Sequence, residues 1–431
     1  MIAFKRTIHT LAALVLCITI AAQSSTLSLN NTNSPFSRYG VGILSDEGFG
    51  NSRAMGGIGY ALRNGRQINP LNPASYSGVD SLTFLFDTGF SLQTSRFSDQ
   101  GASKTANNSS FDYIAFQFRV CPNLGVTAGL IPFSSVGYNL GDKKPIIENG
   151  VENTEDIATH SYYGNGGLHQ VLLGVGYSPI KNFSVGFNIS YLFGSISKAS
   201  TVAATNMEES KLIGITNVYD YKLDLGAQYE FLLDKEKQRN LTIGAIYSLG
   251  HKLNTKSTQS INNAVSNINS NLKLPNTVGL GVAYTDEYWT VGADYNLQLW
   301  KQTYIDPISA NTPYASQPLC NRSRLAVGAE WIPSRYARSY LKQIRYRFGG
   351  YYTTPYYKMV NTSGKWIDGP LEFGLSAGFG LPIPVLLNRS LINVSLQYVH
   401  TSAKNLLTDN TFRISIGVTF NERWFKKWKV E

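Results

Sequence analysis

The sequence predicts an all-β chain: a transmembrane antiparallel β-barrel of about fourteen strands with an N-terminal plug. Three observations predict it. Greasy and polar side chains alternate with period two, short and long connections alternate along the chain, and aromatic residues and glycine stand where charge is usual. The 431 residues include 26 Tyr, 21 Phe and 39 Gly, with 15% charged residues, against about 25% in an average soluble protein. A closed barrel can use this length in one sheet.

The chain opens with Lys5 and Arg6, an apolar stretch from Leu11 to Ile20, and the small residues Ala21 and Ala22. That is the layout of a secretory signal peptide, too short to span a bilayer as a helix, so residues 1–22 are expected to be removed. Cys17 sits inside the apolar stretch rather than at a small-residue cleavage point, which argues against lipidation. Loss of Lys5 and Arg6 lowers the formal charge from +10 to about +8. The remaining charge is scattered rather than gathered on one face, so no nucleic-acid partner is expected.

The last strand shows the alternation cleanly. Phe412, Ile414, Ile416, Val418 and Phe420 point one way, and Arg413, Ser415, Gly417 and Thr419 the other. The same pattern places strands near 81–97, 111–120, 124–139, 162–178, 182–197, 216–231, 240–253, 276–285, 288–300, 322–332, 343–354, 370–381, 390–401 and 410–420. Very short turns at Cys121 to Asn123, Ser178 to Lys181 and Asp286 to Glu287 alternate with long polar connections. The long ones are Gly141 to Ser161, Lys198 to Ile215, Asn254 to Leu274 and Lys301 to Asn321. A sandwich has no reason to keep this rhythm. An outer-membrane barrel does, with tight periplasmic turns and longer outside loops, and an even strand count returns both termini to the periplasm. Closure also satisfies every backbone hydrogen bond inside the lipid.

Tyr177, Tyr284, Trp289, Trp300 and Trp331 fall near strand ends, as interfacial girdles require. Residues 81–421 are therefore assigned to the barrel, and 422–431 to a periplasmic tail rich in aromatic and basic residues. Cys121 and Cys320 fall at opposite ends of the wall, too far apart to bridge. Residues 23–80 lack sustained alternation, but Phe36, Tyr39, Phe49, Met55 and Tyr60 give them something to bury, which favours a plug.

Within that segment, Ala54 to Gly59, with Met55, Gly56 and Gly57, and then Asn72, Pro73 and Ala74 resemble the small-residue run and Asn-Pro-Ala element of the FadL-type long-chain fatty acid transporters. Leu124 to Leu140, with Pro132 and Phe133, and Leu274 to Leu299, with Tyr288, Trp289 and Asp294, are further points of similarity. Asn33 to Gly40 and Tyr163 to Leu168 fit a divergent branch of such barrels. The resemblance implies an N-terminal hatch and passage of hydrophobic molecules through a lateral opening where the third strand kinks. The chain supports the kink independently, because Pro132 removes a ladder donor in mid-strand.

Faces opposite the greasy ones carry Arg119, Lys222, Arg322, Arg324, Arg345, Arg347 and Arg413, with Asp87, Asp220, Asp224, Asp294, Glu330 and Glu372. One reading is an internal ion-pair lattice. The other is that Arg345 and Arg347, with Arg119 and Arg413 as further candidates, bind the acid head of an amphiphile. Gly374 to Gly378 spell a nucleophile elbow, but inside an alternating strand, where that motif has no strand-to-helix turn. His160, His169, His251 and His400 have no metal-ligand spacing, and no cofactor motif is present. No enzyme is expected.

The expected function is passive outer-membrane transport of hydrophobic or amphipathic molecules such as long-chain fatty acids. The alternative is a non-transporting scaffold subunit of an outer-membrane secretion or assembly complex. Expected partners are outer-membrane lipid, the ligand and further outer-membrane proteins.

Overall fold

Side-chain alternation becomes the two faces of a wall. In the strand Thr408–Glu422, Phe412, Ile414 and Ile416 are exposed on the outside, while Ser415, Gly417 and Thr419 are buried on the inside. The computed structural model describes residues 32–99, 102–148, 151–204, 208–237, 239–268, 270, 272–302, 318–334, 337–360, 365–383, 390–403 and 407–422. The expected signal peptide and nearly all of the expected C-terminal tail lie outside the described residues.

Before the barrel come β1 (Ile43–Leu44), α1 (Gly50–Arg53) and two 3-10 turns, Pro35–Arg38 and Pro73–Gly78. Then follow β2 (Phe84–Asp99), β3 (Ala102–Cys121), β4 (Leu124–Glu148), β5 (Val151–Ile180), β6 (Phe183–Ala204), β7 (Ser210–Asp234) and β8 (Arg239–Ser248). A hairpin of β9 (Thr255–Ile261) and β10 (Ala264–Ile268) precedes β11 (Thr277–Thr285), β12 (Trp289–Gln298) and β13 (Arg322–Trp331). The short helix α2 (Tyr340–Gln343) leads to β14 (Arg345–Thr353), and β15 (Lys358–Val360) with β16 (Trp366–Asp368) forms a separate hairpin. β17 (Leu371–Pro382), β18 (Leu391–Ser402) and β19 (Thr408–Glu422) complete the chain.

Fourteen of these strands, all except β1, β9, β10, β15 and β16, pair antiparallel in sequence order. The ring closes through β19 on β2 and β8 on β11. Strands β4 to β7 run longer than expected. The stretches after Leu140 and Lys198, expected as connections, are mostly paired backbone. Above the apolar band both faces meet water, so hydrogen bonding continues without any hydrophobic alternation to reveal it. The connection from Asn254 to Leu274 likewise contains β9 and β10, joined by Asn262 and Asn263, both at positive φ. Two such residues make the tight hairpin turn whose twist suits the strands.

At the short-turn end, Trp289, Trp331, Tyr346 and Phe379 form a chain of ring contacts 5.5–5.9 Å apart. This is the girdle expected of a membrane wall. Trp300 corrects the expectation. It is buried inside the long-loop end against Tyr356 rather than at the lipid interface, because the chain turns inward in the short helical turn Trp300–Gln302.

Residues 32–80 descend through the lumen. Ser34 bonds Asp409 and Ser37 bonds Gly137, both toward the long-loop end, whereas Tyr76 reaches Gly125 near the short turns. The first described residues therefore lie at the end opposite to the one an even strand count assigns them. That count holds for the barrel strands, and the plug adds one further passage of the lumen. Cys121 and Cys320 are both free.

Candidate functional site

The lower plug is seated on a belt of inward-facing glycines. Gly125, Gly176, Gly186 and Gly226 oppose one another across β4 to β7, Gly244 opposes Gly281, and Gly292, Gly328 and Gly349 oppose one another across β12 to β14. A Cβ at Gly125 would lie 2.0 Å from the Tyr76 carbonyl oxygen, at Gly244 1.9 Å from that of Tyr60, and at Gly328 2.2 Å from that of Met55. Wall backbone and plug backbone thus touch directly, with no side chain between them.

Polar groups fix the same contact. Asp294 accepts from the N–H groups of Gly59 and Tyr60 at 2.6 and 2.9 Å, and Ser376 Oγ accepts from the N–H of Gly56 at 2.8 Å. Asn72 donates to the Tyr60 carbonyl at 2.7 Å, and its Oδ1 accepts from the N–H of Ala74, opening the Pro73 turn. Met55 is fully buried with Ile58 and Ala61. Gly56 and Gly57 take positive φ against β13 and β14. The Ser of the apparent nucleophile elbow is thus a plug contact within β17.

The upper plug is different. Phe36 and Val41 join Phe133, Val136, Tyr138, Leu168, Trp300, Tyr356 and Tyr357 in an apolar cluster that fills the long-loop half of the lumen. Tyr357 donates to the Phe36 carbonyl at 3.1 Å and Tyr356 to that of Gly42 at 2.5 Å.

Between these halves the wall is incomplete. β3 and β4 pair only from Cys121↔Leu124 to Ile114↔Leu130. Beyond Leu130, β4 leaves β3 and continues on β5, with a bulge at Phe133 between Pro132 and Ser134. β3 continues on β2 with a matching irregularity beside Asp112. The last β3–β4 pair lies ~20 Å along the strand from its short turn at ~3.3 Å per residue. With a tilt of roughly 40°, the gap opens in the outer half of an apolar band about 25 Å tall. β1 covers part of the freed edge, pairing Ile43↔Ser135 and Leu44↔Ser134. Gly42 permits this with φ +95, since a Cβ there would lie 2.4 Å from the Ser135 carbonyl oxygen.

Two cavities flank the upper plug. The larger, about 180 Å³, reaches the gap at Phe111, Pro132 and Ser135 and carries Arg322, Arg324 and Arg413. The smaller, about 120 Å³, carries Glu47, Lys222, Asp294 and again Arg322 and Arg324. Asp46 of the plug lines both. Burial works to raise its carboxyl, but the Arg324 and Arg53 guanidiniums and the Gly48 N–H outweigh this and hold it below the usual range. Arg53 is itself buried, with Nη1 2.5 Å from Asp112 Oδ2 at the gap. Glu47 lies 3.2 Å from Lys222.

The arginines expected to bind an acid head group are dispersed. Arg345 and Arg347 both clamp Glu330, at 3.0 and 2.6 Å, and Arg347 also donates to Asn393 Oδ1 at 2.6 Å. Arg347 is 2% exposed, so this pair belongs to the ion-pair lattice at the short-turn end. Arg119 is half-buried at the short-turn end, donating to the Cys121 carbonyl. Arg413 alone of the four lines the larger cavity, held by Gln93 Oε1 at 2.9 Å. Among the described residues, neither Arg413 nor Arg322 has a carboxylate within ion-pairing distance. Sequence reasoning missed Asp46, Glu47 and Arg53, which lie in a segment without periodicity, and it missed the glycine belt. The belt left a signal: one or two glycines on the inward face of nearly every strand.

The backbone resembles solved transmembrane barrels. The Pseudomonas putida toluene transporter TodX superposes with a TM-score of 0.58 at 16% identity, covering 90% of this chain and 100% of that one. The Ralstonia pickettii toluene transporter TbuX gives 0.57 at 17% identity, covering 86% and 98%. A Pseudomonas aeruginosa FadL homologue gives 0.54 at 11% identity, covering 88% and 98%. At these identities the likeness establishes the FadL-type fold. No curated protein matches the chain. A family model described as BamG matches residues 5–431, so the chain belongs to the BamG family.

Proposed function

We propose that this barrel is a passive outer-membrane conduit for small hydrophobic or amphipathic molecules, long-chain fatty acids among them, with lateral exit at the β3–β4 gap beside Pro132 and Phe133. The observation that carries the proposal is the end of β3–β4 pairing at Leu130, beside a cavity that reaches the same place. In a closed wall every strand edge is satisfied. An interrupted edge within the apolar band is a costly feature unless something passes there. The lower plug keeps the periplasmic route shut, which leaves the side as the exit. Arg322 and Arg413 are the better candidates for an acid head group, since Glu330 neutralises Arg345 and Arg347.

A second reading, a non-transporting scaffold subunit of a secretion or assembly complex, is favoured by the bolted lower plug and by cavity size. Neither cavity reaches the ~300 Å³ at the lower end for ligand pockets.

The test is uptake of a fluorescent long-chain fatty acid by liposomes carrying the purified protein. The variants are Pro132→Ala, Arg322→Ala/Arg413→Ala, and Leu44→Cys/Ser134→Cys in a background with Cys121 and Cys320 replaced by Ser. Directly opposed strand residues lie within disulfide reach. Uptake blocked by oxidation and restored by reduction supports the lateral conduit. A folded barrel with no uptake above empty liposomes favours the scaffold, to be followed by affinity purification of partners.

A further inference from the structure

Strands β11 to β17 carry a concavity on the outer, lipid-facing wall. It is an apolar groove of about 830 Å³. Its floor is small: Ala293, Ala329 and Gly350 sit on neighbouring strands, backed by Gly328 and Gly349, where the Met55 backbone lies against the inside, and by Gly292 beside the Ile58 side chain. Its rims are large. Leu325, Phe348, Tyr352, Phe373 and Leu375 are all at least 45% exposed, and Val327 stands between Ala293 and Gly350. The plug therefore shapes the outside: glycines that admit Met55 to the wall come paired along the strand with small outward neighbours, and the wall thins to little more than backbone.

The groove starts just above the ring chain of Trp289, Trp331, Tyr346 and Phe379 at the short-turn end. Below that chain, the turn between β13 and β14 holds α2, with Tyr340 and Leu341 exposed at 42% and 66%. Arg338 and Lys342 flank them, both exposed and neither ion-paired among the described residues. Exposed apolar side chains beside unpaired cations suit the interface between acyl chains and head groups, where aromatic belts and basic residues meet lipid.

We propose that this face holds one phospholipid of the inner leaflet, its acyl chains in the groove over Ala293, Ala329 and Gly350 and its anionic phosphate against Arg338 and Lys342. Two observations made independently point to the same occupant. The groove is apolar and elongated across several strands, as acyl chains require, and the cations lie at its periplasmic mouth on the far side of the aromatic girdle. The site is separate from the β3–β4 gap and does not depend on transport.

The test is the phospholipid carried through purification in mild detergent, counted by mass spectrometry after equilibration with phosphatidylglycerol, phosphatidylethanolamine or both. Wild type is expected to retain about one phospholipid per barrel and to prefer phosphatidylglycerol. Ala293→Phe/Ala329→Phe fills the groove from outside and is expected to lower retention at least several-fold. Arg338→Glu/Lys342→Glu is expected to keep the lipid but lose the preference. A folded groove-filled variant that retains lipid as wild type does overturns the proposal. So does a wild-type dimer that this variant dissociates, since the occupant is then a second copy. Should the filled variant fold poorly, quenching on the unmodified protein decides. Brominated phosphatidylglycerol must quench tryptophan fluorescence at lower mole fraction than brominated phosphatidylethanolamine, and equal quenching overturns the proposal.

Discussion

At Gly244 a hydrogen stands where any other residue would place a carbon 1.9 Å from the Tyr60 carbonyl oxygen. Gly244→Val is expected to unseat the lower plug while leaving β8 paired, at a cost of about 1–3 kcal/mol for overpacking. Protease nicking within residues 50–80, with the barrel otherwise intact, is the readout. Glu330 behaves oppositely, since its removal strands the buried guanidinium of Arg347 and the half-buried one of Arg345. Glu330→Ala should destabilise by about 3–5 kcal/mol, seen as a lower unfolding temperature, because an uncompensated buried charge costs more than the pair contributes. Asp46 gives a pH dependence with a definite sign. Its folded value is held below the ordinary one of about 4. Its contribution is therefore complete above that ordinary value and is lost only as pH falls through the lowered one. The part of plug protection that depends on Asp46, read as the difference between wild type and Asp46→Asn, should stay flat from pH 8 to 5 and decline in stronger acid.

At the scale of elements, the plug divides. Residues 49–80 are packed backbone to backbone on the glycine belt, whereas β1 holds β4 through two residue pairs. Amide exchange at Ile43, Leu44 and Ser45 is expected to be faster than at Gly56, Gly59 and Tyr60, since short pairings with few neighbouring bonds open at lower free energy. Equal protection would mean that the plug moves as one body. Of these elements the sequence disclosed the kink, because a mid-strand Pro132 is anomalous on its own evidence. It did not disclose β1. Two residues carry no periodicity, and their pairing depends on β3 having turned away from β4.

For the whole molecule, the ring closes without help from the plug, through β19 on β2 and β8 on β11. Deleting residues 32–80 should leave a folded barrel with its lower lumen cleared, while the wall's share of the apolar cluster stays in the long-loop half, and should raise conductance in planar bilayers above that of the full chain. A deletion protein that fails to close would show that the plug is part of the sheet's stability. The sequence by itself determined the wall: the alternation, the strand number and the rhythm of short and long connections are local patterns, written in residues that are neighbours along the chain. The tertiary structure alone decided what the lumen charges do. From sequence, Arg345 and Arg347 fit an ion-pair lattice or an anion site equally, and only Glu330, lying between them on the adjacent strand, decides for the lattice. It also decided where the plug runs and why the wall is glycine there. These are contacts between residues far apart in sequence, and no period along the chain encodes the depth at which two distant segments meet.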